Sequence, residues 1–297
     1  MELRHLRYFV TVVEEGTLTT AAERRLHTSQ PSLSRQIRDL EYQVGAELLS
    51  RSVQGVELTA AGRAFLDHAR LALMQVDAAV EAARRAAQPA RKTLAIGFQT
   101  GHETNWLPRA MHVLRDELKK IEVKISSDYS PDLAEALVRG RLDLAFMRVE
   151  PGYDLGYHVV DREPLIVLMP SDHRLTAKQA IHPLEFVGEI FIGGFKKAAV
   201  LRAVTEDYLR RSGVDIKLDH GVDNMAMAIS LVASTRGLAL MPAYAKNLLP
   251  GSVVSRPLEG EAPTIEVAVG YSKSNASPSL KLFLSRLDEL VGPNQKP

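Results

Sequence analysis

Ser29, Gln30, Ser32, Ser34 and Arg35 gather short hydrogen-bonding side chains and a guanidinium around a single proline, Pro31. Proline is tolerated in the first turn of a helix and not in its middle, so the cluster marks a helix start. Hydroxyls, an amide and a guanidinium at a helix N-terminus suit phosphate oxygens and the base edges of a major groove. Other chemistries lack their residues. There is no cysteine, which excludes disulfides, zinc ribbons and thiol catalysis. No G-x-S-x-G elbow, Walker loop or G-x-G-x-x-G occurs. His102-Glu103 opens like H-E-x-x-H, but Trp106 stands at the second ligand position, and the nine histidines show no ligand spacing. No metal, cofactor or enzymatic activity is expected.

The elements that position the polar cluster follow from apolar spacing. Leu6, Phe9, Val10 and Val13 recur at i, i+3, i+4 and i+7, predicting a helix over residues 4–15 that Gly16 ends. Thr17 or Thr19 caps a second helix with Ala21, Ala22 and Leu26 inward. From Pro31 on, Leu33, Ile37, Leu40 and Val44 form a buried stripe up to Gly45, leaving the face of Ser29, Gln30, Ser32, Ser34 and Arg35 free. Two short helices, a turn, a longer helix and a hairpin make a winged helix-turn-helix.

The motif AA-x3-L-x2-SQPSLSRQIRDLE followed by LLSRSVQGVELTAAG resembles the N-terminal domain of the LysR-type transcriptional regulators, over about sixty residues. The resemblance implies that Gln30, Pro31, Ser34 and Arg35 lie at the DNA and that Arg51 and Thr59 belong to the wing and the turn after it. Arg38 and the wing residue Gln54 complete the expected contact set. Two departures stand out. Glu23, Arg24 and Arg25 are three residues where the family pattern has two, which predicts a longer turn, and Gln54 and Leu49 replace a basic residue and an aromatic. A small helical domain with a merely solvated polar face is the plain alternative. Residues 1–62 hold seven Lys or Arg against eight Asp or Glu, yet no acid falls between residues 24 and 38, so Arg24, Arg25, Arg35 and Arg38 form a local basic patch.

After Gly62, Leu66, Ala69, Leu73, Val76, Val80, Ala83 and Ala87 alternate at three and four through a stretch free of proline until Pro89. A stripe so narrow suits a two-helix seam between copies of the chain, the alternative being packing on its own domain. At ~1.5 Å per residue a helix over residues 60–87 is about 40 Å long. In the resembled family this is the linker helix, and pairs of dimers form tetramers.

Beyond residues 89–92 the periodicity changes. Strands are predicted at 93–98, VKISS, LDLAFM, 164–170, 189–194, 216–221, 238–242 and 264–271, with helices at 105–120, 131–139, 198–212, NMAMAISLVAS and the C-terminus. This alternation predicts a mostly parallel α/β architecture. The resemblance implies two Rossmann-like lobes joined by crossing strands, as in periplasmic solute-binding proteins. The expected boundaries are 1–62 for the DNA-binding domain, 63–90 for the linker helix and 91–297 for an effector domain, with lobe I at about 91–162 and 267–297 and lobe II at about 163–266.

A ligand in such a fold sits between the lobes, beyond strand C-termini and beside helix starts. The candidates are Gln99, Thr100, Gly101, His102, Ser130, Arg148, Gly194, Phe195 and Val222. Free N–H groups, two hydroxyls and one arginine favour a small carboxylate, and the family's aromatic-acid-responsive members use matching positions. Each has a plainer reading: Ser130 as a helix cap, Arg148 as the partner of a surface acid, Gly193 and Gly194 as a turn, Phe195 as core.

Lys and Arg number 37 against 36 Asp and Glu, so no long-range field points to a membrane surface. The opening MELRHLRYF lacks a signal peptide's apolar run, and no uninterrupted apolar stretch approaches ~20 residues. A cytoplasmic regulator is expected, with double-stranded promoter DNA, a small effector, further copies of itself and RNA polymerase as partners. The other readings are a solute-binding receptor and an effector-independent DNA-binding protein.

Overall fold

Leu6, Phe9, Val10 and Val12 turn one side of helix α1 (Leu3–Glu15) into a core, and Gly16 ends it in the left-handed conformation at φ 73°. The computed structural model describes residues 1–52, 55–87, 92–193, 197–216 and 220–290, which divide into two units, Met1–Ala86 and Ala87–Pro297. In the first, Thr17 caps α2 (Leu18–Thr20) by accepting the Thr20 N–H at 3.0 Å. The helix then widens into a π-turn over Ala21–Leu26, closed by His27 N–H on the Ala22 carbonyl, with His27 itself at φ 47°. The additional residue expected to lengthen the turn is taken up inside the helix, because a π-turn absorbs one residue without breaking the backbone hydrogen-bond run.

Helix α3 (Gln30–Val44) starts at Ser29, whose hydroxyl accepts the Ser32 N–H at 3.4 Å, and stops at Gly45. Leu33, Ile37 and Leu40 are buried against α1 and the π-turn. Val44, expected on that stripe, is 37% exposed; the chain leaves the core at Gly45, and Leu48 fills it instead. Ser34, expected on the free face, is buried at the margin of the stripe, three residues before Ile37 and so on its side of the helix.

Strands β1 (Leu49–Ser52) and β2 (Gly55–Leu58) form an antiparallel hairpin in which the Arg51 backbone faces Val56. Gln54, at its tip, lies outside the described residues. Glu41 fastens the hairpin to α3 by accepting the N–H groups of Leu48 and Leu49 at 2.9 and 3.0 Å. Thr59, expected at the DNA, caps the long helix α4 (Ala60–Ala87): its hydroxyl donates to the Glu47 carbonyl at 2.7 Å and accepts the Gly62 N–H at 2.9 Å. Leu66 and Ala69 on α4 join the core, whereas Val80 further along is 44% exposed.

The second unit alternates β3 (Lys92–Gln99), α5 (Glu103–Val113), β4 (Ile121–Asp128), α6 (Ser130–Val138) and β5 (Leu144–Met147). Next come β6 (Leu155–Pro170), β7 (Phe191–Gly193), α7 (Ala199–Arg211), β8 (His220–Gly221), α8 (Met225–Thr235), β9 (Leu238–Pro242), β10 (Val253–Pro257), β11 (Thr264–Ser272) and α9 (Pro278–Leu284). The sheet runs β4-β3-β5-β11-β6-β9-β7-β8, with β10 also on β6. It is less parallel than expected: β3 with β4 and β5, and β7 with β8 and β9, are parallel, but every pairing made by β6 and β11 is antiparallel. The two crossing strands cause this, since β11 returns the chain to the first lobe against its own outward run. β6 also begins nine residues before the predicted strand at 164.

Helix α5 ends at Val113 instead of continuing to residue 120. Tight turns follow, with Glu117 N–H on Leu114 O and Lys120 N–H on Glu117 O at 2.8 Å, and they bring the buried Ile121 into register beside Lys92. Of residues 216–221 only His220 and Gly221 are strand, and 217–219 lie outside the described residues. Each lobe has its own apolar core, Phe98, Trp106, Phe146 and Phe283 in one and Phe186, Phe191, Leu168 and Leu240 in the other. Among the described residues no helix is long and apolar enough to cross a membrane.

Candidate nucleic-acid interface and ligand cleft

The start of α3 is the first site. Ser29, Gln30, Pro31, Ser32, Arg35 and Arg38 are all exposed on it. Ser29 is committed to its capping bond, while neither Arg35 nor Arg38 has an ion pair among the described residues. Arg25 does. Its guanidinium reaches Glu15 at 3.1 Å and Glu14 at 3.4 Å, which withdraws it from the expected basic patch. Ser34 and Thr59 are set back from the free face as described above. Nothing in residues 17–30 had marked Glu14 and Glu15 as partners, because the pairing crosses from one helix to another.

The second site lies between the lobes, where a cavity of about 680 Å3 is lined by Thr100 and Gly101 on one side and by α8, Leu248, Pro250 and Ser252 on the other. Thr100 is exposed, and its hydroxyl accepts from Ser127 at 3.3 Å while keeping its own proton to donate. Gly101 stands at φ 91°, and a Cβ there would come within 2.8 Å of the Tyr244 ring, so both conformation and space select glycine. Its N–H is already taken by Glu103 at 2.7 Å. On α8, Asn224 caps the helix by accepting the Met227 N–H at 2.8 Å, leaving Met225 and Ala226 N–H groups without acceptors among the described residues.

The remaining candidates are drawn into the frame behind the cavity. Gln99 is buried and accepts both the Ser130 N–H at 2.8 Å and its hydroxyl at 2.5 Å; that hydroxyl in turn accepts the Arg148 N–H at 2.9 Å. Ser130 therefore ties three chain segments together, and Tyr129 stands at the N-cap in place of the expected serine. Val222 is 2% exposed and belongs to the lobe II core, with its N–H on the Gly193 carbonyl. Gly194 and Phe195 lie outside the described residues.

Arg148, expected as the anion ligand, is buried, with both terminal guanidinium nitrogens engaged. It donates to Glu163 at 2.8 Å, to His102 Nε2 at 3.1 Å, and to the Glu266 and Ile265 carbonyls at 3.0 and 3.4 Å. Glu163 sits on β6 and the two carbonyls on β11, so only the folded crossing strands bring these groups together. Burial lifts the Glu163 carboxyl above its usual range, with Arg148 opposing. Burial first, and then the Arg148 charge, push His102 well below the ordinary imidazole value, which keeps the ring neutral. Since the guanidinium can only donate, Nε2 accepts and the proton resides on Nδ1, which is buried with no hydrogen-bond partner among the described residues. The Tyr244 ring packs edge-on against His102 at 4.1 Å, and its hydroxyl donates to the Thr100 carbonyl at 3.3 Å. Three more polar contacts bridge the lobes: Tyr129 hydroxyl to Asp223 O at 3.0 Å, Lys197 to Asp132 at 3.1 Å and Asn247 to Asn105 at 3.2 Å. Farther along, beyond β5, burial pushes the Glu150 carboxyl up to about 7. Among the described residues no cluster of His, Asp or Glu could hold a metal ion.

These two sites coincide with known sequence families. Residues 3–63 match the model of the bacterial regulatory helix-turn-helix protein, lysR family, and residues 87–291 that of the LysR substrate binding domain. The chain is 36% identical to the Hca operon transcriptional activator HcaR of Escherichia coli over 97% of this chain and 98% of that protein. It is 32% identical to the transcriptional regulator AlsR of Bacillus subtilis over 96% and 94%. Among solved structures, full-length BenM superposes with a TM-score of 0.57 at 27% identity, covering 98% of this chain and 96% of that one. Both units are matched along nearly their whole length by proteins that control transcription and not by enzymes, and the chain belongs to the LysR family of DNA-binding transcriptional regulators.

Proposed function

We propose that the protein binds promoter DNA through residues 1–62, pairs with further copies along residues 63–90, and tunes that binding through a small carboxylate held between the lobes of residues 91–297. The observation that carries the DNA half is the exposed row of Gln30, Ser32, Arg35 and Arg38, whose two guanidinium groups have no ion pair among the described residues. Exposed along the first half of α3 and its middle, they match phosphates and guanine edges. The carboxylate is held by the Thr100 hydroxyl and the free Met225 and Ala226 N–H groups, a helix start favouring an anion, and Arg148 has no part in it.

Ligand in the cavity alters the polar bridges between lobes and shifts the population of lobe arrangements, and with it the relation between paired copies on the duplex. Dimers assemble further into tetramers, act in the cytoplasm and present the bound promoter to RNA polymerase. The test is a footprint on the DNA upstream of the protein's own gene, with and without a panel of small carboxylic acids. A protected pseudo-palindrome whose extent changes with one acid supports the whole reading. Protection indifferent to every acid removes the effector half, and no protection removes both.

A further inference from the structure

The π-turn at Ala21–Leu26 re-aims two consecutive arginines. In a regular α-helix Arg25 would stand four residues from Ala21 and share its inward face. The wider turn brings Leu26 in beside Ala21 and Ala22, both fully buried, and swings Arg25 aside. Arg25 then closes on Glu14 and Glu15 of α1, and Glu14 also meets Arg70 of α4 at 3.8 Å, so this arginine is internal glue. Arg24 is left on the side opposite the alanines, exposed and with no acidic partner among the described residues. It stands five residues before Ser29, on the helix that precedes the recognition helix, the element that crosses the DNA backbone when a helix-turn-helix docks.

We propose that the π-turn makes Arg24 a phosphate contact that extends the DNA face of α3 onto the preceding helix, while Arg25 serves only the fold. This rests on the DNA-binding reading above. A phosphate contact carries no base information, so its loss weakens promoter and random duplex alike.

The experiment measures affinity against salt for Arg24→Ala, Arg24→Lys and Arg25→Ala, on the promoter fragment and on a random duplex of equal length. Arg24→Ala should lower the slope of log affinity against log salt by about 0.9 per bound recognition helix, so that its deficit against wild type shrinks about 3.5-fold between about 50 and about 200 mM salt. Arg24→Lys should restore the slope, and Arg25→Ala should keep it while lowering the melting temperature. An unchanged slope for Arg24→Ala, a loss confined to the promoter fragment, or an equal slope loss in Arg25→Ala each overturns the assignment. If wild type does not distinguish promoter from random duplex, the regulator reading fails, while the Arg24 slope on random duplex still decides this one.

Discussion

Arg35 and Arg148 carry the same guanidinium into opposite surroundings. Arg35 is exposed without an ion pair among the described residues, whereas Arg148 is enclosed by Glu163, His102 and two backbone carbonyls. Arg35→Ala should therefore spare folding and weaken specific promoter binding by about 1–3 kcal/mol, the worth of a bidentate base contact, as read by titration against labelled promoter DNA. Arg148 instead neutralises a carboxylate that the β6 position forces indoors, and its loss would leave Glu163 buried and uncompensated. Glu150 shows the same cost of burial with no ion pair among the described residues. Its folded value of about 7 exceeds the ordinary 4.5, so the folded state binds the extra proton in that window. Stability is then fully present below about 4.5 and falls as pH rises through about 7. Glu150→Gln should remove that slope and be more stable above neutrality by about 1–2 kcal/mol, a figure discounted for the solvent that still reaches the carboxyl. Urea denaturation of both proteins on either side of the window measures the difference.

Helix α4 has two halves with different tasks. Leu66 and Ala69 belong to the N-terminal core, while Val80 is 44% exposed and Ala83 and Ala87 are exposed with it. An apolar row that contributes little to its own chain's core is available for a second copy of the helix. Val80→Asp should leave the single chain's free energy of unfolding within about 0.5 kcal/mol of wild type, as surface changes do. It should nevertheless shift sedimentation toward a single chain; a variant that remains dimeric would remove α4 from the seam. The wing is tied differently, by the Glu41 carboxylate and by the Val56 N–H on the Gly16 carbonyl at 2.9 Å. Both ties reach back to the ends of helices, so the hairpin's placement depends on where α1 and α3 stop.

Across the second unit, β6 and β11 run through both lobes and put Glu163 and the Arg148 acceptors at their crossing. Tyr244 links that crossing to the cavity wall through His102 and Thr100. Thr100→Val removes the hydroxyl that lobe I contributes to the cavity lining among the described residues, while keeping its shape. It should retain wild-type promoter affinity without ligand and lose the ligand's thermal stabilisation, which for wild type at a hundredfold excess over Kd is worth about 2.7 kcal/mol. Ser130→Ala has a different expected outcome, because its hydroxyl joins Gln99 to Arg148 inside lobe I.

Local physics made the N-terminal elements legible. Gly16, Ser29, Pro31 and Gly45 act on their own or neighbouring backbone, and the spacing of Leu33, Ile37 and Leu40 is a property of one helix, so sequence alone determined α1, α3 and the polar helix start between them. The π-turn was visible only as one residue too many, since whether a surplus residue widens a helix or lengthens a turn depends on which side chains the core accepts. Partners distant in the chain were beyond reach. Arg25 reads as a free cation until Glu14 and Glu15 are brought beside it, the acid that Arg148 meets is a buried Glu163 and not a surface one, and Val222 reads as a cleft residue until the sheet buries it. Spacing along a chain specifies which face a side chain occupies; what that face meets is decided by the packing of segments far apart in sequence, and only the tertiary structure contains it.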